Sequence, residues 1–119
     1  MTNTTLDGIH RQAYIDGQFT DASDAATFET LNPATGKAIA NISACGPADV
    51  DRAVASARTA FESGAWSTAD PNVRKNTLLR FAALIEKNVA ELAELETLDA
   101  GKPITDCRDF DLPDVINTL

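Results

Sequence analysis

The apolar positions change their period once along the chain. From Tyr14 to Thr20, short β-prone runs flank Asp16-Gly17. An Asp-Gly pair between such runs is the strongest short-range hairpin signal, so strands are predicted on either side. A second extended segment, Thr27 to Leu31, meets Asn32-Pro33-Ala34-Thr35-Gly36, where Pro33 fixes one backbone angle and Gly36 permits a positive one. Lys37 to Ser43 reads as the returning strand. After Gly46-Pro47 the period becomes helical: Val50, Ala53, Val54, Ala57 and Phe61 recur at i, i+3, i+4, i+7 and i+11 on one face. Pro47 suits a first helical turn, and Asp49 favours the positive N-terminal end.

Ser63 to Ser67 reads as a loop in which Trp66 is expected to anchor packing. Asp70-Pro71 predicts an N-cap followed by proline at the first helical position. The helix that follows turns Leu78, Phe81, Ala82 and Ile85 inward and leaves Arg74, Lys75, Arg80, Glu86 and Lys87 wet. A break is predicted near Asn88, after which Val89 to Leu98 continue with Leu92, Leu95 and Leu98 as neighbours. Gly101 can take the left-handed conformation that closes this helix, and Pro103 cannot continue it. Beyond Pro103, Asp106 is expected as a cap and Pro113 as a second helix start, with Val115, Ile116 and Leu119 making apolar contacts. An apolar terminus in mid-helix gains nothing without a partner to cover it. The pattern divides the chain into a flexible N-terminus (1–12), β-strands and hairpins (13–45) and a helical part (46–119).

Charge narrows the candidate partners. Acidic residues number 18 against 10 basic ones, a formal charge of −8 in 119 residues. That balance repels phosphate backbones, which argues against nucleic-acid binding. No run has the length of a signal peptide or a membrane span, so a cytoplasmic protein without a membrane partner is expected. Cys45 and Cys107 fall in no metal-type spacing and are expected to be thiols that fill semi-buried space.

Few residues are arranged for catalysis or cofactor binding. His10, the single histidine, stands in a polar segment with no serine or cysteine pattern that would make it a base. The six glycines never fall two apart, which removes the G-x-G-x-x-G fingerprint, and no phosphate-cradling loop is present. Glu91, Glu94, Glu96 and Asp99 read as a hydrated helix face.

Particular strings carry more information than any of these. "TFETLNPATG" (27–36), "DVDRAVASARTAF" (49–61) and "LETLDAGKP" (95–103) resemble the N-terminal part of the NAD(P)-dependent aldehyde dehydrogenase superfamily, from about Tyr14 to Leu119. "FESGAW" and "LETLDAGKPI" are similar to the γ-glutamyl-γ-aminobutyraldehyde and betaine aldehyde dehydrogenase subgroup. The resemblance implies an α/β fold of which this chain supplies N-terminal hairpin strands and the helical part of an incomplete cofactor-binding domain. It implies oxidation of an aldehyde to a carboxylate: a cysteine thiolate attacks the carbonyl, hydride passes to NAD or NADP, and a glutamate activates water. Those groups lie downstream in the family, and neither Cys45 nor Cys107 matches the catalytic position. The chain alone is therefore expected to be inactive, with the missing C-terminal part of the enzyme as its partner and a homo-oligomer as the full-length assembly. The resemblance also implies a structural Na+ or K+ held by the carboxylate of Asp99 and by the strand end at Thr30 and Leu31, oxygen donors that suit a hard cation. In the other readings the chain is a free-standing acidic α+β binding module or, most poorly supported, a small enzyme of another kind.

Overall fold

Helix capping and turn chemistry account for most element boundaries in the computed structural model, which describes residues 8–119. The first hairpin pairs β1 (Ala13–Ile15) with β2 (Gln18–Thr20), antiparallel, with Tyr14 opposite Phe19. Asp16 and Gly17 both have positive φ, 53° and 74°, the left-handed pair that matches the twist of a two-residue hairpin. β3 (Thr27–Leu31) and β4 (Ala38–Ser43) form a second two-stranded sheet. The turn between them is closed by the Asn32 amide donating to the Lys37 carbonyl at 2.9 Å. Residues 1–7 of the expected flexible N-terminus lie outside the described residues.

Three helices follow: α1 (Pro47–Glu62), α2 (Pro71–Lys87) and α3 (Val89–Ala100). The Asp70 carboxylate accepts from the Asn72 amide at 2.8 Å, capping α2 just ahead of Pro71 as expected. Asn88 ends α2 and precedes α3, and its side-chain amide donates to the Leu84 carbonyl at 2.7 Å. Gly101 closes α3 at φ 73°, its amide donating to the Thr97 carbonyl at 3.0 Å.

The last segment departs from expectation. Asp106 makes no side-chain cap. The helix instead starts directly after Pro103 as α4 (Ile104–Asp106), widens into a π-helical turn (Cys107–Asp111) and continues as α5 (Leu112–Thr118). Pro113 has no N–H to return to residue 109, and just before it the Leu112 amide bonds to the Cys107 carbonyl, five residues back. The wider turn sets Cys107, Leu112, Ile116 and Leu119 against the same core, a grouping that an uninterrupted α-helix would scatter.

The described residues gather into two units. One holds Leu31–Ile39 and Asp70–Leu119 together with Gly8; the other holds Ile9–Thr30 and Ala40–Ala69. The core of the first is Ile85, Ala93, Cys107 and Leu112, with Val89 and Leu92 packed against it. In the second unit, Ala22 and the carboxyl-bearing Asp49 are buried.

Several side chains expected inside are not. Trp66 is exposed, as are Val50, Val54 and Phe61 of α1 and Phe81 of α2. Periodicity identifies residues that share a face, but burial also requires something to lie on that face. Cys45 is exposed and Cys107 fully buried, rather than both being semi-buried.

Candidate functional site

His10 is engaged in aromatic packing. Its ring stacks on Phe19 with centroids 3.5 Å apart and planes 9° from parallel, and Tyr14 meets Phe19 edge-on at 5.0 Å. The pairing follows from the β1–β2 register, which places Tyr14 directly across from Phe19.

In the second unit the buried carboxylate of Asp49 is densely hydrogen-bonded. It accepts from the Ser23 amide at 3.1 Å, the Gly46 amide at 3.0 Å and the Arg52 guanidinium at 2.7 Å, and the Ser23 hydroxyl also donates to it. The Ser23 hydroxyl above all, then Arg52 and the Gly46 amide, hold its pKa down at about 2. This network ties the 21–26 loop to the start of α1, a larger role than the dipole contact expected from sequence. Arg52 at i+3 was a visible signal; Ser23, 26 residues away, was not.

A second cluster joins α3 to the π-helical turn. Glu96, Cys107 and Asp111 each offer one ligand atom, all within 4.8 Å of one another. The Thr97 hydroxyl donates to the Cys107 sulfur at 3.6 Å, and the Lys102 ammonium donates to the Asp111 carboxylate. That hydrogen bond holds the Lys102 pKa above its ordinary value, with the charge of Asp111 adding to the effect. Within the cluster the Lys102 ammonium therefore pairs with the carboxylate of Asp111. The acidic series predicted from sequence divides accordingly: Glu91 and Asp99 are exposed, whereas Glu94 and Glu96 are half-buried.

Of the residues expected at a monovalent cation, Thr30 and Leu31 end β3, half-buried and exposed respectively, and Asp99 is exposed in the last turn of α3. Thr30 and Asp99 both have partners within the chain. Within the first unit, the turn that follows Leu31 packs on the end of α3: a Cβ added at Gly101 would lie 2.6 Å from Pro33 Cγ. Glycine at this point thus serves both the left-handed cap and the close approach of the proline ring. A carboxylate and chain carbonyls are a donor set that fits Na+ or K+.

Each unit also exposes apolar side chains. In the first unit Phe81, Leu84, Leu92, Leu95 and Val115 line an open groove over Ile85 and Leu112, with Glu91 as its charged residue. In the second, Val50, Val54 and Phe61 stand bare along α1. Exposed apolar side chains that share one groove or helix face suit an apolar covering surface. Among the described residues, no helix is long and apolar enough to cross a membrane.

Residues 19–119 match the sequence profile of the aldehyde dehydrogenase family. The chain belongs to that family. It is 52% identical over 115 residues to the aminoacetaldehyde dehydrogenase of Pseudomonas aeruginosa, a match covering 97% of this chain and 23% of that protein. Among solved structures, the γ-glutamyl-γ-aminobutyraldehyde dehydrogenase of Burkholderia cenocepacia superposes with a TM-score of 0.89 at 46% identity, over 92% of this chain and 22% of its own. A betaine aldehyde dehydrogenase of Staphylococcus aureus in complex with NAD+ gives a TM-score of 0.92 at 32% identity, over 96% of this chain and 23% of its own. The two hairpins and the helices thus have the fold of the N-terminal segment of aldehyde dehydrogenases. This aldehyde dehydrogenase chain spans about a quarter of the length of these relatives.

Proposed function

We propose that the chain is the N-terminal part of an enzyme that oxidises an aldehyde to a carboxylate with NAD+ or NADP+, and that it contributes packing surfaces to that reaction rather than reacting groups. The observation that carries this reading is the 52% identity to an aminoacetaldehyde dehydrogenase along nearly the whole chain. In this reading the cysteine, the glutamate and the cofactor pocket belong to the remainder of the fold, which is the chain's first partner. The groove over Ile85 and Leu112 and the bare face of α1 are the surfaces that this remainder covers. The assembled enzyme is a cytoplasmic homo-oligomer, and when bound its nicotinamide accepts the hydride. Asp99, with the backbone at Leu31 and Thr30, holds a structural Na+ or K+; the residue types and the packing of Pro33 on Gly101 support that assignment.

The test is a chimera in which this chain replaces the matching segment of the P. aeruginosa aminoacetaldehyde dehydrogenase. Aldehyde-dependent reduction of NAD+ is the expected result. A soluble, folded chimera that reduces neither NAD+ nor NADP+ with any aldehyde accepted by the unaltered enzyme would overturn the proposal. The chain alone, assayed in parallel, is expected to show no dehydrogenase activity.

A further inference from the structure

We draw no further inference here: the strongest candidate, the Glu96, Cys107 and Asp111 cluster between α3 and the π-helical turn, has its Asp111 carboxylate paired with the Lys102 ammonium, and no second observation points to a bound metal or other ligand.

Discussion

Truncating Leu112 and truncating Phe81 should have very different consequences, although both residues border the same groove. Leu112 is 7% exposed and belongs to the core with Ile85, Ala93 and Cys107. Leu→Ala at a buried site costs about 2–5 kcal/mol, the upper part of that range arising from the cavity left behind. The groove beside Leu112 is open, so water and neighbouring side chains relieve part of that cavity, and the expected cost is about 2–3 kcal/mol. Phe81 is 52% exposed. Its removal forfeits about half of a phenylalanine transfer energy and leaves no enclosed void, for a cost of about 1 kcal/mol. Urea unfolding of the two variants and the parent chain, followed by far-ultraviolet circular dichroism in a constant background of a stabilising osmolyte, would measure the difference. In the chimera the remainder of the fold covers the groove, and Phe81→Ala should then cost about 3–5 kcal/mol, as for a buried phenylalanine. Equal costs for Phe81→Ala and Leu112→Ala in the isolated chain would refute the claim that this face is bare. An unchanged small cost for Phe81→Ala in the chimera would refute the claim that the face is a docking surface.

Four further outcomes are expected. Asp49 keeps its carboxylate ionised in the folded chain down to about pH 2, whereas the unfolded chain takes up that proton near 3.8. Its contribution is therefore complete above that ordinary value and is lost as pH falls toward 2; Asp49→Asn should be less stable at neutral pH and flatter in acid unfolding, and an acid profile identical to the parent's would contradict this. Gly101→Ala should lower stability by about 1–2 kcal/mol for the left-handed backbone, with the Pro33 contact adding to that; a thermal midpoint at or above the parent's would show that neither constraint acts. A thiol reagent should modify Cys45 rapidly and Cys107 only on unfolding, and two equally fast thiols would contradict the burial of Cys107. Lys102→Met should lower the thermal midpoint by an amount that shrinks in high salt, since Lys102 and Asp111 are both partly exposed; a salt-independent loss would point to packing by the lysine stem instead.

Local chemistry was readable from the sequence wherever a boundary depends on one or two residues. Asp16-Gly17, Asp70-Pro71, Asn88 and Gly101 all stand where turn and cap preferences place them. Exposure was not readable, because Val54, Phe61 and Phe81 obey helical periodicity whether or not a partner lies over them. The hydrogen bonds of Asp49 with Ser23 and the gathering of Glu96, Cys107 and Asp111 were also hidden. The first spans distant residues, and the second depends on a turn of unusual width. Thr30, Leu31 and Asp99 entered through likeness to a family, since no spacing within the chain singles them out.

The widened turn before Pro113 bears on how this region compares with its relatives. Cys107 and Leu112 are five residues apart yet face the same core. Removing one residue between them would restore a four-residue step and leave both side chains pointing inward on an ordinary α-helix. A one-residue gap in an alignment can therefore fall at 108–110 without any core position changing its occupant. The same deletion a turn later would rotate Ile116 and Leu119 out of register. Length variation among relatives is expected to concentrate at 108–110, where the wider turn can lose one residue while the core keeps its register.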